Sequence, residues 1–233
     1  MIRELIEKTA FSHAYQPLYR VEDMAEWGAE FLFRTKNGNP EQIFQMAKEK
    51  NQLFELDTKS IHTALRARFT HLTLNGYAFV NIYPSTILHK KFQSFIRNLL
   101  EEFPHSSQKI VFEIIETEKT DDLTLLRERI HYLKSCGFQI AMDDIGMGWS
   151  SLSLMIELEP DFIKLDRYFS IDLAASCKKQ KMIQLLLHYF HETETTIILE
   201  GIETTKDLHT AQTLGVNYCQ GYLLAMPKPI LEK

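Results

Sequence analysis

Two adjacent aspartates, Asp143 and Asp144, stand where an apolar run gives way to glycine and serine in IAMDDIGMGWSSL, residues 140–152. Side chains on a regular strand alternate between its two faces, so both carboxylates can face inward only if one belongs to the turn. A polar strand end followed by a glycine-rich turn is common and needs no function. The alternative is a cation site built where a strand meets its loop.

Polar side chains recur at the carboxyl ends of the predicted strands. Burying such a group without a partner costs several kcal/mol, so repeating the arrangement independently on strand after strand would be hard to tolerate. If the strand ends meet at one end of a barrel, these groups can satisfy one another and a bound cation. We therefore expect convergence of Glu30, Asn81, Glu113, Asp143 with Asp144, Lys164, Glu200 and Gln220.

The residue types in this set favour a divalent cation bound by oxygen. Five acids and one asparagine, without clustered histidine or thiol, suit Mg²⁺ or Mn²⁺ rather than zinc. His188 and His191 lie one helical turn apart, but no acidic third ligand is evident. Ser150 and Ser151 have no histidine partner at a strand end, so a serine triad is not indicated. The sequence contains no P-loop and no dinucleotide-binding glycine fingerprint.

Eight β-rich runs, from HAYQPLYR at residue 13 to YCQGYL at residue 218, supply the strands that would position these residues. Amphipathic helical stretches, such as PSTILHKKFQSFIRNLLEEF at residues 84–103, separate most of them. This alternation predicts a parallel sheet closed into a (β/α)8 barrel. The first two runs are joined only by VEDMAEW, which is too short for a crossover helix and predicts an antiparallel hairpin. We expect one α/β domain over residues 1–233.

Within the run EFLFR, residues 30–34, strand alternation separates two faces. Glu30, Leu32 and Arg34 share one face, and Phe31 and Phe33 share the other. The two phenylalanines are predicted to pack beneath the helices, which leaves the acid and the arginine for the site.

The composition is typical of a globular protein and does not indicate binding to nucleic acid or insertion into a membrane. Hydrophobic residues make up 45% of the 233 residues and charged residues 24%, as in ordinary globular domains. The net charge of −5 does not favour binding to duplex nucleic acid. Three widely spaced cysteines and the lack of a signal-type or membrane-spanning apolar segment predict a reduced, cytoplasmic protein without a membrane anchor.

Eight sequence motifs together resemble the EAL-domain family of cyclic di-GMP phosphodiesterases. They occur in family order and with family-like spacing: YQPL, GAEFLFR, FVN, FEIIE, AMDDIGMGWSSL, DFIKLDR, LEGIE and QGYLLAMPKP. The resemblance implies a modified TIM-like barrel with one antiparallel strand. It also implies that the chain hydrolyses cyclic di-GMP to linear pGpG with two divalent cations, Mg²⁺ or Mn²⁺.

The resemblance assigns roles to individual positions. The metal ligands it implies are Glu30, Asn81, Glu113, Asp143, Asp144 and Glu200. Lys164, Glu200 and Asp144 correspond to catalytic residues, with Lys164 orienting the attacking water and the phosphate. The nucleotide contacts would be Gln16, Arg34 and Gln220. Glu116 matches a glutamate that anchors the loop after the paired aspartates, and Glu203 matches a residue that supports the ligands. A homodimer through SSLSLMIELEP, residues 150–160, is also implied.

The chain departs from the family pattern at several positions. Phe31 replaces an alanine but should point away from the site. Tyr83 and Ile115 replace a serine and a threonine on the faces of Asn81 and Glu113, and Ile145 and Met147 replace residues of the following loop. Two alternatives to the enzyme therefore stay open: a receptor that binds cyclic di-GMP without turnover, and a protein-interaction module on the same fold.

Overall fold

A closed barrel of eight strands forms the centre of the computed structural model, which describes residues 1–72, 76–115, 122–145 and 152–230, without the side chains of residues 144, 152 and 153. The barrel strands are β1 (Ser12–Arg20), β2 (Glu26–Arg34), β3 (Tyr77–Ile82), β4 (Ile110–Ile114), β5 (Gln139–Ile145), β6 (Phe162–Leu165), β7 (Thr196–Leu199) and β8 (Tyr218–Cys219). The predicted α/β barrel fold is confirmed. A short additional strand, β9 (Lys228–Pro229), pairs antiparallel with β1 at Ala14 and Tyr15.

Strand β1 runs against its neighbours, as the short connection to β2 predicts. It pairs antiparallel with β2, placing Gln16 opposite Glu30, and antiparallel with β8, whereas β2 to β8 pair parallel in sequence order. The turn between β1 and β2 is closed by a hydrogen bond from the Arg20 amide to the Ala25 carbonyl, 3.0 Å long. The amino-terminal half of β1 therefore lies at the barrel end where the other strands present their carboxyl ends.

Helices cover the outside of the barrel. They are α1 (Ile2–Glu7), α2 (Pro40–Glu49), α3 (Leu53–His71), α4 (Pro84–Leu88), α5 (Phe92–Glu102), α6 (Leu123–Ser135), α7 (Leu152–Leu158), α8 (Arg167–Ser170), α9 (Cys177–Glu192) and α10 (Thr205–Leu214). Side-chain caps fix several of their starts; Asn39 accepts from the Glu41 amide before α2, and Thr204 from the Asp207 amide before α10. Among the described residues, no helix is long and apolar enough to cross a membrane.

The helical stretch at residues 84–103 is two helices rather than one. His89 has an extended backbone (φ −66°, ψ 141°), which ends α4 and lets the chain change direction before α5 begins at Phe92. The His89 ring stacks on Phe54 with 3.9 Å between ring centroids, and Phe92 is fully buried. These contacts explain the break, and an amphipathic pattern alone does not reveal them.

Side chains inside the barrel form an apolar layer below a polar one. The apolar layer consists of Leu18, Phe79, Val111, Ala141, Phe162 and Ile198. Two residues along each strand toward the carboxyl ends of β2 to β8, the same face carries polar side chains. They are Gln16, Asn81, Glu113, Asp143, Lys164 and Glu200. The period-two repeat of the strands thus places the charged groups together at one end of the barrel.

On the outer face of the barrel, Phe31 and Phe33 pack away from this polar layer. Phe31 joins the core cluster under the helices, and the Phe33 ring meets the Phe44 ring of α2 edge-on, 5.1 Å between centroids. The predicted division of EFLFR into two faces is confirmed.

Candidate functional site

The Lys164 ammonium group lies at the centre of four carboxylates. Its Nζ atom is 2.7 Å from Glu200 Oε1, 2.8 Å from Glu113 Oε1, 3.0 Å from Asp143 Oδ1 and 3.3 Å from Glu30 Oε2. The side chains of Lys164 and Glu113 are 1% and 0% exposed. The strands therefore converge as predicted, bringing an acid from each of β2, β4 and β5, and the acid that follows β7, around a lysine from β6.

Burial and mutual repulsion shift the protonation of this cluster. Burial raises the pKa of Glu113 well above its usual value, against the opposing effect of Lys164, and raises the pKa of Glu200 to about 8. Burial alone would lower the pKa of Lys164, but the surrounding carboxylates outweigh it and raise this pKa well above normal. One ammonium group cannot balance four ionised carboxylates, so either protons or additional cations must neutralise the excess negative charge.

The donor set fits a hard divalent cation. All its charged donors are carboxylate oxygens, the ligands that Mg²⁺ and Mn²⁺ prefer. The buried Glu113 Oε2 atom has no hydrogen-bond partner among the described residues, which leaves a carboxylate lone pair free inside the site. No group of three or more described His, Cys, Asp or Glu side chains is arranged around a single metal position, and the ammonium group of Lys164 lies among the four carboxylates. The side chain of Asp144 lies outside the described residues.

Strand β5 has a β-bulge at the paired aspartates. Along β5 the pairing with β6 passes from Met142 opposite Ile163 to Ile145 opposite Leu165, so three steps on β5 match two on β6. The extra residue falls at Asp143–Asp144, within the strand. The expectation that one aspartate already belongs to the turn is therefore wrong: a bulge, rather than the end of the strand, breaks the alternation.

Two amides fix the orientation of Glu30. Asn81 Nδ2 donates to Glu30 Oε1 at 3.4 Å, and Gln220 Nε2 donates to Glu30 Oε2 at 3.1 Å. Both were expected among the strand-end residues, and both lie beside the carboxylate cluster. Each amide donates through its nitrogen, so these contacts hold the Glu30 carboxylate between β3 and β8.

Two cavities border the cluster on opposite sides of Glu30. The larger, about 620 Å³, is lined by Asn81 and Asp143 and reaches outward past the exposed Arg34 to α2. The smaller, about 200 Å³, is lined by Gln16, Glu200, Glu203, Gln220 and Tyr222. Together they form an elongated depression across the carboxyl ends of the strands, with the charged cluster between its two ends.

Gln16 and Arg34 have protein partners of their own. The Gln16 side-chain amide donates to the Ala225 carbonyl at 3.1 Å, and Arg34 Nη1 donates to the Phe33 carbonyl at 2.9 Å. Glu203 lies on the exposed rim, where Oε1 is 2.8 Å from Arg167 Nη2. The structure thus brings Gln16, Arg34 and Glu203 to the borders of the cavities but not into the carboxylate cluster. The predicted loop anchor Glu116 and the departure at Met147 lie outside the described residues.

The other departures from the family pattern differ in their distance from the site. Ile115 lines the larger cavity, and Tyr83 lines it with its ring stacked on Phe44, 5.3 Å between centroids. Ile145 instead packs in a buried apolar cluster with Met142. Of the four described departures, Phe31, Tyr83 and Ile115 therefore contribute to the wall of the larger cavity, and Ile145 does not.

Asp57 was not recognised in the sequence as a residue of this region. It is buried on α3, lines the larger cavity, and accepts a hydrogen bond from the Tyr83 amide at 3.0 Å through Oδ2. The available signal was an acid on the mainly apolar face of α3, among Leu53, Leu56 and Ile61.

Comparisons with known proteins agree with this architecture. The sequence model of the EAL domain matches residues 1–227. "Cyclic di-GMP phosphodiesterase PdeA" of Borreliella burgdorferi is 28% identical over 236 residues, covering 98% of this chain and 35% of that protein. "Probable cyclic di-GMP phosphodiesterase PdeA" of Escherichia coli is 26% identical over 195 residues, covering 83% of this chain and 27% of the relative. This chain thus spans about a third of the length of these relatives.

Solved structures share the fold. The crystal structure of an EAL domain protein from Listeria monocytogenes superposes with a TM-score of 0.87 at 24% identity, covering 98% of this chain and 93% of that one. A Klebsiella pneumoniae BlrP1 complex with manganese and cyclic di-GMP gives a TM-score of 0.86 at 23% identity, covering 95% and 57%. Because the family model spans almost all of the sequence and the barrel is common to these structures, the chain belongs to the EAL domain family.

Proposed function

We propose that this protein is a phosphodiesterase that hydrolyses cyclic di-GMP to linear pGpG, using two divalent cations, Mg²⁺ or Mn²⁺. The observation that carries the proposal is the buried cluster of four carboxylates around Lys164, set between two cavities at the carboxyl ends of the strands. The relatives named as cyclic di-GMP phosphodiesterases and the solved complex with manganese and cyclic di-GMP support it.

The residues of the cluster would hold the cations and the nucleotide. The proposed cation ligands are Glu30, Asn81, Glu113, Asp143, Asp144 and Glu200. When bound, the cations supply an activated water and neutralise charge on the phosphoryl oxygens. Arg34 and Gln220 would bind the nucleotide from the two sides of Glu30, with Gln16 at the border of the smaller cavity. Glu116 as loop anchor and Glu203 as a supporting residue stay predictions.

Among the protein's own side chains, Lys164 would stabilise negative charge on the phosphate and Glu200 would accept a proton from water. The Lys164 ammonium group places a fixed positive charge where negative charge develops on the phosphate, without needing to reorganise. Glu200 Oε1 is 2.7 Å from it, and the Glu200 carboxylate, once bound cations favour its ionised form, would accept a proton from water. The lysine and the base are thus held in mutual contact before the substrate binds.

A receptor that binds cyclic di-GMP without turnover is the second candidate. It is favoured by Ile115, which brings an apolar side chain to the wall of the larger cavity where the family pattern has a threonine. An apolar group at this position cannot hold a water molecule by hydrogen bonding.

A turnover assay separates these candidates. The protein is incubated with cyclic di-GMP and Mg²⁺ or Mn²⁺, and pGpG is followed by chromatography, with Glu200→Gln as the inactive variant and Glu192→Gln, at the exposed end of α9, as its matched control. Product from the parent and from Glu192→Gln, but not from Glu200→Gln, supports the enzyme. Nucleotide binding by calorimetry without product under either metal supports the receptor, and the absence of both rejects the two.

We further propose a cytoplasmic homodimer that contacts its copy through residues 150–160. Ile156 on α7 is 59% exposed, which supplies an apolar side chain for such a contact. Sedimentation that shows only monomer at high protein concentration, with cyclic di-GMP present, would reject the dimer.

A further inference from the structure

Glu200 is held by the turn that follows β7, and this turn has an unusual backbone. Gly201 has a φ of +67°, and a Cβ atom at this position would lie 2.4 Å from Arg167 Cγ. The Glu200 amide donates to the Leu165 carbonyl and the Ile202 amide to the Gln220 carbonyl, each at 3.0 Å. The turn is therefore tied to β6 on one side and to the residue after β8 on the other.

The Gly201 carbonyl in this turn accepts a hydrogen bond from a side chain outside the barrel. Ser170, the last residue of α8, is 1% exposed, and its Oγ lies 2.9 Å from the Gly201 carbonyl and 3.0 Å from the Arg167 carbonyl. The hydroxyl thus lies within hydrogen-bond distance of both carbonyls and joins the end of α8 to the turn after β7. Without this donor, the half-buried Gly201 carbonyl would lose its hydrogen bond to α8.

We propose that Ser170 is a positioning residue for Glu200: its hydroxyl fixes the Gly201 peptide and thereby holds the Glu200 carboxylate against Lys164. The inference rests on the proposed phosphodiesterase function. A carboxylate 2.7 Å from its lysine partner has little tolerance for displacement, and an error of about 1 Å in a reacting group can lower a rate about 100-fold. Ser170 thus acts through Glu200 and does not touch the substrate.

The opposite end of the same strand pair supplies a matched control. Thr195 precedes β7, and its Oγ1 donates to the carbonyl of Pro160, which precedes β6, at 2.9 Å. This bond ties β6 to β7 with the same chemistry as the Ser170 bond, but at the end of the barrel remote from Glu200. Losing this half-buried hydroxyl therefore tests the effect of loosening β6 from β7 at a distance from Glu200.

The test compares Ser170→Ala and the size-matched Ser170→Cys with Thr195→Val. For both Ser170 variants we expect kcat to fall about 10-fold while KM stays within about 2-fold, because the nucleotide contacts are unchanged. For Thr195→Val we expect kcat within about 2-fold of the parent, with a similar loss of thermal stability. Equal kcat effects at the two positions, or a change in KM alone, would overturn the proposal.

Hydrogen exchange gives a readout that does not depend on turnover. In Ser170→Cys we expect amides of residues 200–203 to exchange about 5-fold faster than in the parent, with no matching change after Thr195→Val. If the parent shows no phosphodiesterase activity, the proposed function fails, and exchange alone decides the positioning role. Unchanged exchange at residues 200–203 in both Ser170 variants would overturn it.

Discussion

Replacing Glu200 with glutamine should stabilise the protein at pH 7 in the presence of EDTA, although the same change should remove its activity. Burial and neighbouring carboxylates raise the pKa of Glu200 from 4.5 to about 8, against the favourable charge of Lys164. Between these two values the native state holds a proton that the unfolded state has released. This group therefore makes the protein less stable as pH rises from 4.5 to 8.

The loss of unfolding free energy follows from the pH interval between the two pKa values of Glu200. Stability changes by about 1.4 kcal/mol per pH unit while one proton is bound only in the native state, which gives about 3 kcal/mol at pH 7. Glutamine resembles the protonated acid in shape and does not titrate, so Glu200→Gln avoids this cost. For a domain of this size the expected gain in Tm is about 6–12 °C.

The assay is urea unfolding of the parent, Glu200→Gln and the rim control Glu203→Gln at pH 4.5 and pH 7, with EDTA and then with Mn²⁺. We expect Glu200→Gln to exceed the parent at pH 7 but not at pH 4.5, and Glu203→Gln to follow the parent at both. Saturating Mn²⁺ should stabilise the parent more than Glu200→Gln, since a cation that binds the native state adds to stability. A Glu200→Gln variant that is less stable than the parent in EDTA at pH 7 would refute the reasoning.

Three further changes test other parts of the structure. Lys164→Met leaves the buried carboxylates without their ammonium group, so it should cost about 3–5 kcal/mol in EDTA at pH 7 by urea unfolding, and an equally stable variant would contradict the charge argument. Burial, with a smaller effect of Arg34, lowers the pKa of His13 to about 4, so the native state keeps this ring neutral where the unfolded state binds a proton. The free energy of unfolding should therefore fall by about 3 kcal/mol as pH drops from 6.5 to 4. In His13→Leu this part of the pH dependence should be absent. Phe79→Ala opens the apolar layer of the barrel and should cost about 3–5 kcal/mol, whereas Met182→Ala on the exposed face of α9 should change stability by less than about 0.5 kcal/mol; similar values for both would argue against the assigned packing.

The sequence predicts the barrel well because its signals are local. The short link VEDMAEW excludes a crossover helix, and the antiparallel pairing of β1 with β2 follows. Period-two alternation assigns Glu30 and Phe31 to opposite faces, as the structure has them. Strand β9 has only two residues, Lys228 and Pro229, and no periodic pattern can reveal so short a segment.

Contacts between distant parts of the chain could not be predicted in the same way. The Gln16 amide donates to the carbonyl of Ala225, which is 209 residues away, so its partner depends on closure of the whole barrel. The bulge at Asp143 and Asp144 depends on how β5 pairs with β6, and adjacent aspartates are equally consistent with a turn. Residue types therefore identify the site, whereas the partner of each group requires the tertiary structure.

The direction of β1 has a consequence for attaching anything to this domain. Because β1 enters the barrel at the end that carries the cavities, Ala10 lies beside Thr35 at the end of β2, and β9 pairs with Ala14 and Tyr15 at that same end. Ala10 and β9 therefore lie at the rim of the depression. A peptide inserted beside Ala10 would crowd the entrance of the depression, whereas an insertion at the turn near Gly137, on the far side of the barrel, would leave the entrance clear.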